Sequence, residues 1–158
     1  MLGVASESKL IGVHPDLVKV VRLAYDLLQA RGTGVGMVVM EGVRTADRQR
    51  KLVAAGASKT MDSRHLTGHA VDLGATVDGD VRWDWSLYYI LGDVMREASV
   101  KLDIPIVWGG VWDRRIDDLT EAGGTQDDVE AYVARQKSMG RKAFLDGPHF
   151  QLDKARYP

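Results

Sequence analysis

Residues 63–73, SRHLTGHAVDL, contain the most informative pattern of polar residues in the chain. His65 and Asp72 lie seven positions apart, with Gly68 between them. A helix does not normally contain such a glycine, nor the alternating residues that follow it. A loop that leads into a strand is favoured instead, and it can bring the two side chains together. The Asp72 carboxylate has an apolar residue on each side, so it needs a partner, and a cation is one.

A second stretch supplies further groups of the same chemistry. Imidazole and carboxylate are both ligands of Zn²⁺. In residues 145–152, LDGPHFQL, His149 begins a predicted strand and can provide a third ligand. Asp146 stands three residues earlier, before a Gly-Pro turn, and can accept a proton from water at the metal. Three protein ligands and an open position for water are typical of catalytic zinc.

The composition limits the alternatives for this site. The chain has no cysteine and four histidines. A disulfide scaffold, a thiol nucleophile, an iron–sulfur cluster and a Cys-type zinc site are therefore excluded. His69 lies an odd number of residues from Asp72, so we expect it to face away and not to be a ligand. His14 is interpreted as a residue that flanks a helix.

Length and charge place the chain among ordinary globular domains. It has 158 residues, 45% of them hydrophobic and 27% charged, which is typical of one folded domain. The net charge of −1 gives no overall positive field for nucleic acid or an anionic membrane. We see no secretory signal and no apolar run long enough to span a bilayer. We expect a monomer without nucleic-acid or membrane partners.

Hydrophobic periodicity predicts a mixture of helices and strands. Helices are predicted at 15–31, at 46–55 after a Thr45 cap, from an Asp84 cap to Leu102, and at 126–138 after a Thr125 cap. Strands are predicted at 35–41, 68–73, 103–108 and 149–152. The elements do not alternate regularly as βαβ units, which favours the α+β class over a doubly wound sheet.

The motifs also have a characteristic order along the chain. The pattern S-x-H-x-x-G-x-A-x-D at 63–72 is followed by D-x-x-H at 146–149. Residues 10–17, the EGVRT segment at 41–45 with Gln49, and WGGVW at 108–112 accompany them. Together they resemble the M15 zinc metallopeptidases of the VanY/D-Ala-D-Ala peptidase superfamily. Within these, the chain is most similar to phage endolysin L-alanyl-D-glutamate endopeptidases.

The resemblance implies a role for each matching residue. It implies Zn²⁺ held by His65, Asp72 and His149, with Asp146 as general base, Arg44 holding the substrate carbonyl oxygen, and Ser63 beside the metal in contact with substrate. It also implies the Hedgehog/D-Ala-D-Ala peptidase type of α+β fold, a small antiparallel sheet flanked by helices. Two simpler interpretations stay open: Arg44 can pair with Glu41 or Asp47, and Asp146 can be a turn residue.

The function implied by the resemblance is hydrolysis of the L-Ala–D-Glu bond in the stem peptide of peptidoglycan. Such an enzyme is made in the cytoplasm of the infected bacterium and reaches the wall at lysis. One alternative is a D-Ala-D-Ala carboxypeptidase or dipeptidase, although an exported one usually carries a signal or anchor. Another is a wall-binding or Hedgehog-like module without catalysis, which loss of the acid would favour.

One segment departs from the compact members of the family. The chain inserts roughly residues 115–141 between Trp112 and Asp146, including the last predicted helix. We expect residues 1–158 to form one catalytic domain without a separate wall-binding domain. The insertion can form a wall or a lid of the cleft. Trp108 and Trp112 are expected to pack around their turn.

Overall fold

A computed structural model describes residues 1–119 and 123–158. The helices in these ranges are α1 (Val4–Lys9), α2 (Pro15–Arg31), α3 (Ala46–Ala54), α4 (Trp85–Leu102) and α5 (Thr125–Ser138). The strands are β1 (Val35–Glu41), β2 (Ala70–Val77), β3 (Asp80–Arg82), β4 (Ile106–Trp108) and β5 (His149–Leu152). Short 3₁₀ helices cover Arg64–Thr67 and Ile116–Asp118. None of the described helices is both long and apolar enough to cross a bilayer.

The strands form one antiparallel sheet in the order β1-β2-β5-β4, and β3 pairs with β2 beside this path. Helices α2 and α4 pack against each other, α2 also packs on β1, and α4 also packs on β2. The expected α+β class, with a small antiparallel sheet flanked by helices, is therefore confirmed.

The two faces of the sheet differ in chemistry. Val71 and Leu73 on β2 are buried on one face, with Phe150 on β5 directly opposite Val71. These side chains join the hydrophobic core that α2 and α4 complete. Burying each of them contributes about 1.5–3 kcal/mol. Asp72 lies between them in sequence and so points to the other face, because successive strand residues alternate.

A β-bulge in β1 brings a charged residue onto the Asp72 row. Val39 pairs with Leu73, but the next pair joins Glu41 to Asp72, so the register shifts between them. The buried Ser6 hydroxyl of α1 accepts the Val39 N–H at 3.0 Å beside this irregularity. A bulge redirects side chains in this way. Here it turns Glu41 from the core toward Asp72.

Of the three helix N-caps predicted from the sequence, only that of α3 makes the expected hydrogen bond. Thr45 caps α3 as predicted, by accepting the Arg48 N–H. Thr125 does not cap α5; it is the first helical residue, and its buried hydroxyl donates to the Tyr89 carbonyl oxygen at 2.8 Å. Asp84 occupies the N-cap position of α4, but its carboxylate accepts from Arg82 instead. Neither α1 nor β3 was predicted from the sequence.

Candidate metal centre and active site

Three candidate metal ligands converge on the polar face of the sheet. Asp72 of β2 lies directly opposite His149 of β5 in the strand register. His65 comes from the 3₁₀ helix that precedes β2. One ligand atom from each residue lies within 4.8 Å of the other two. Residues distant in sequence thus meet because the β2–β5 pairing sets Asp72 against His149.

His65 is held in one tautomer by a backbone contact. Its side chain is 2% exposed, and its Nδ1 lies 2.8 Å from the Gly42 carbonyl oxygen. A carbonyl oxygen can only accept, so Nδ1 carries the proton and donates. The Nε2 lone pair is thereby directed at Asp72 Oδ1, 3.2 Å away. Hydrogen bonds of this kind orient histidines that bind metals.

His149 is oriented in the same way by its own strand. Its Nε2 lies 2.9 Å from Gln151 Oε1, which acts as the acceptor. Its Nδ1 then faces Asp72 Oδ1 at 3.2 Å. Burial acts to lower the pKa of His149, but the nearby Asp72 carboxylate outweighs this effect and raises the pKa.

Asp72 is the centre of the cluster. Burial acts to raise the pKa of its carboxyl, but hydrogen bonds with His149 and His65 outweigh it and hold the pKa well below its usual range. Each imidazole directs its remaining nitrogen at the same carboxylate oxygen. A positive charge, either an added proton or a metal ion, must therefore lie between them. Two imidazole nitrogens and one carboxylate oxygen form a donor set that fits Zn²⁺.

Arg44 lies beside the cluster but is already engaged. It donates to both Glu41 oxygens, at 3.0 and 2.6 Å, so the pairing considered from the sequence is present. Its Nη1 donates to Gln49 Oε1 at 2.7 Å. Its Nη2 also lies 3.6 Å from Asp72 Oδ2. The guanidinium is thus fixed at the edge of the candidate metal centre.

Ser63 begins the 3₁₀ helix that carries His65. Its hydroxyl accepts the His65 N–H at 3.4 Å, and it lines the cleft. Its visible role is therefore to start the turn that presents His65. Its place in the cleft lining is compatible with the substrate contact that the resemblance implies.

Asp146 is positioned by backbone contacts between the WGGVW motif at 108–112 and the D-x-x-H motif at 146–149. Its N–H donates to the Gly109 carbonyl oxygen at 2.9 Å, and the Gly109 N–H donates to the His149 carbonyl oxygen at 2.8 Å. Trp108 Nε1 donates to the Gly147 carbonyl oxygen at 2.8 Å. Burial raises the pKa of the Asp146 carboxyl. A buried acid with a raised pKa is a recurring property of general acids and bases.

The candidate ligands and the three polar residues beside them line one cleft of about 610 Å³. Its lining includes the three candidate ligands together with Asp146, Arg44 and Ser63. Trp108 is fully buried, as expected. Trp112 also packs against the core, but in addition it lines the cleft and stacks on His149, with ring centroids 5.1 Å apart. The aromatic wall therefore reaches the candidate metal centre.

The described part of the inserted segment packs behind this wall. Within the described residues 115–119 and 123–141, none lines the cleft, and the insertion also includes residues 120–122, which lie outside the described ranges. Helix α5 packs on α4, and the Tyr132 hydroxyl donates to the Phe144 carbonyl oxygen at 3.4 Å. Arg135 pairs with Asp113 at 2.9 Å. These contacts support the wall from outside.

Gln49 supports the cleft, although no role for it was predicted from the sequence. It is fully buried, although glutamine is usually exposed. Its oxygen accepts from Arg44, and its Nε2 donates to Ser58 Oγ at 2.9 Å and to the Thr60 carbonyl oxygen at 2.6 Å. Gln49 thus joins Arg44 to the loop that forms the opposite rim of the cleft. The EGVRT segment with Gln49 was the available signal.

The other two histidines lie outside the cluster. His14 is at the N-cap of α2, where its Nδ1 accepts the Asp16 N–H at 3.2 Å. His69 Nδ1 lies 2.8 Å from Thr67 Oγ1, and its ring lies 5.4 Å from that of His14. The structure therefore separates the four histidines into two pairs with different environments.

The chain has the fold of a peptidase of the M15 superfamily. Residues 1–152 match the profile of the family described as phage L-alanyl-D-glutamate peptidase, and the chain belongs to this family. It is 29% identical over 114 residues to the L-alanyl-D-glutamate peptidase of Escherichia phage T5, covering 70% of this chain and 80% of that protein. The enzyme of the same name from Listeria phage A118 is 32% identical over 93 residues. That match covers 56% of this chain and 31% of the A118 protein.

A solved structure agrees over almost the full length. The crystal structure of the Serratia marcescens L-Ala D-Glu endopeptidase ChiX is 38% identical in sequence, with a TM-score of 0.69. The match covers 98% of this chain and 91% of ChiX. The matched stretch therefore extends over almost all of this chain.

Proposed function

We propose that this protein is a zinc-dependent peptidoglycan endopeptidase that cleaves the L-Ala–D-Glu bond of the stem peptide, acting as a phage endolysin. The observation that carries the proposal is the convergence of His65, Asp72 and His149 in a cleft that Asp146 also lines. Family membership supports the bond that is cleaved. Fold alone would not support a choice of substrate.

His65, Asp72 and His149 would hold the zinc ion, through two nitrogens and one oxygen. When bound, zinc polarises the scissile carbonyl and makes a water molecule more acidic. The two histidines supply neutral lone pairs because Gly42 and Gln151 accept their other ring protons. The chain thus prepares the ligands before any metal arrives.

Asp146 would act as the general base. Its carboxylate takes a proton from the attacking water as the new carbon–oxygen bond forms, and gives it to the nitrogen as the carbon–nitrogen bond breaks. Burial raises the pKa of this carboxyl and so moves it toward the working pH, where one group can both accept a proton and return it. The backbone contacts with Gly109 hold it in place for both steps.

Arg44 and Ser63 would contact the substrate. Arg44 is held rigidly by Glu41 and Gln49, so its guanidinium is already oriented when substrate enters. Fixed donors of this kind stabilise negative charge as it develops on a carbonyl oxygen. Ser63, which also lines the cleft, would orient the peptide.

The remaining expectations are part of the same proposal. We propose that residues 1–158 act as one catalytic domain, which works as a monomer on the wall and needs neither nucleic acid nor membrane. The protein would be made in the cytoplasm of the infected bacterium and reach peptidoglycan at lysis. The net charge of −1 offers no overall attraction to an anionic wall, so targeting would come from the cleft itself or from a high local concentration of the protein at lysis.

The test is digestion of purified muropeptides followed by mass spectrometry. We expect new D-Glu amino termini and L-Ala carboxyl ends on the glycan-linked fragments, with metal-loaded protein. Release of D-Ala would instead indicate a carboxypeptidase or dipeptidase. If no bond is cleaved although each chain carries one zinc ion, the protein would be a non-catalytic wall-binding module.

A further inference from the structure

The cleft contains five cationic side chains, and the described residues engage them differently. The set is Arg44, Arg48, Lys59, Arg64 and Lys154. Glu41 accepts hydrogen bonds from both Arg44 and Arg48. Arg64 donates to the Tyr157 carbonyl oxygen, and Lys154 lies 3.6 Å from Asp62. Four of the five cations therefore already have a protein oxygen as partner.

Lys59 differs from the other four. Among residues 1–119 and 123–158, no carboxylate lies within 4.0 Å of its ammonium. Its Nζ lies 5.2 Å from the centroid of the Phe144 ring. Phe144 is 50% exposed, so this contact is at the open side of the cleft. A cation over an aromatic face is held in place without losing its charge.

An aromatic wall connects Lys59 to the candidate metal centre. The Phe144 ring stacks on Trp112 with centroids 6.0 Å apart, and Trp112 stacks on His149 with centroids 5.1 Å apart. Lys59 itself belongs to the loop after α3, on the other rim. Its contact with Phe144 therefore joins the two rims of the cleft. A peptide that lies along this wall passes from the metal ligands toward the Lys59 ammonium.

The substrate of the proposed function provides a matching anion. Glutamate has two carboxyl groups, and a glutamate that continues a peptide uses only one of them. The D-Glu residue next to the scissile bond therefore keeps a second carboxyl, which can be free or amidated. We propose that Lys59 is a specificity-determining residue that binds this free carboxylate, and this inference rests on the proposed function.

The test compares two synthetic stem peptides that differ only at this carboxyl, one a free acid and the other a carboxamide. We expect the wild-type protein to cleave the acid with a kcat/KM about fivefold higher, since an accessible ion pair is worth about that much. In Lys59→Gln, the kcat/KM for the acid should fall about fivefold, mainly through KM, and reach that of the amide. The kcat/KM for the amide should not change.

Lys154→Gln is the matched control, because it removes the same charge from the same cleft at a side chain that Asp62 already pairs. This variant should keep the preference for the acid. The inference is overturned if Lys59→Gln affects both peptides equally, leaves both unchanged, or if Lys154→Gln alone removes the preference. If the wild-type protein cleaves neither peptide, the proposed function fails and the inference fails with it.

Discussion

At the residue scale, the proposed base and the proposed ligand should be separable by mutation. Asp146→Asn keeps the size and burial of the side chain but cannot accept the proton, so we expect kcat/KM to fall by about 10²–10⁴ with metal content unchanged. His149→Ala should lose the metal itself, because it removes one of three ligands. Metal analysis of both purified variants, together with muropeptide turnover, measures this. Full turnover by Asp146→Asn would contradict the general-base role.

Gln49 should matter more than its distance from the reaction suggests. Gln49→Met leaves the Arg44 guanidinium, the Ser58 hydroxyl and the Thr60 carbonyl each without one partner. The Arg44 side chain is only 9% exposed, and a buried group left without a partner costs about 1–3 kcal/mol, so we expect the free energy of unfolding to fall by about that amount. KM should also rise, since the loop at 58–60 loses its anchor. Urea unfolding and steady-state kinetics measure both effects.

The matched control for this substitution is Gln126→Met. Gln126 is exposed on α5, where it donates to Glu130 at 3.2 Å. The same change there should alter the free energy of unfolding by no more than about 0.5 kcal/mol. If the free energy of unfolding fell equally at the two positions, the hydrogen bonds of the buried Gln49 amide would not be what stabilises this region.

At the element scale, the turn after β4 and the segment before β5 behave as one unit. A Cβ on Gly109 would clash with the Asp146 carbonyl oxygen, so Gly109→Ala must push the Asp146 backbone away. We expect kcat to fall about 10²-fold, because displacements near 1 Å have that effect in active sites. Overpacking should also destabilise the fold by about 1–3 kcal/mol. Turnover measured on the folded fraction separates the two effects.

Gly3→Ala is the control for this comparison. A Cβ on Gly3 would meet no atom within 4 Å, and its backbone conformation suits any residue. Turnover should be unchanged. If Gly109→Ala were equally harmless, the backbone contact between the two motifs would not be what positions Asp146.

Elements with a clear local pattern were predicted well, and the details set by distant contacts were not. The apolar spacing from Leu17 to Leu28 was enough to predict α2, whose bounds match the prediction. The start of α5 was wrong because the Asp93 carboxylate, far away on α4, accepts the Thr125 N–H at 3.2 Å. The bulge in β1 was not predicted, because it depends on pairing with β2 and on Ser6.

The candidate site shows the same division. The spacing of His65 and Asp72 and the D-x-x-H motif, together with the family resemblance, selected the residues that converge. The sequence could not show that Gly42 and Gln151 set the two tautomers, since neither contact follows from a motif. Nor could it show that Trp112 stacks on His149, because that contact depends on how β4 and β5 pair.

At the scale of the whole molecule, metal binding should stabilise the fold. The three candidate ligands come from the 3₁₀ helix at Arg64–Thr67, from β2 and from β5, so one ion would join parts of the chain more than 70 residues apart. A ligand that binds only the folded state at 100 times its Kd adds about 2.7 kcal/mol. For a domain of this size that corresponds to a rise in Tm of about 5–10 °C.

We therefore expect zinc to raise the Tm of the chelator-treated protein by about 5–10 °C, measured by scanning calorimetry. His149→Ala should abolish this response.

His69→Ala should keep the response to zinc, because His69 contacts Thr67 and His14 and lies outside the cluster. The two variants remove the same kind of side chain from neighbouring parts of the chain, since the Leu152 N–H of β5 donates to the carbonyl oxygen of His69, the residue before β2. A general loss of stability would lower the starting Tm of both variants, whereas loss of the metal site would remove the zinc response of His149→Ala alone. An undiminished response in His149→Ala would mean that zinc binds elsewhere on the protein.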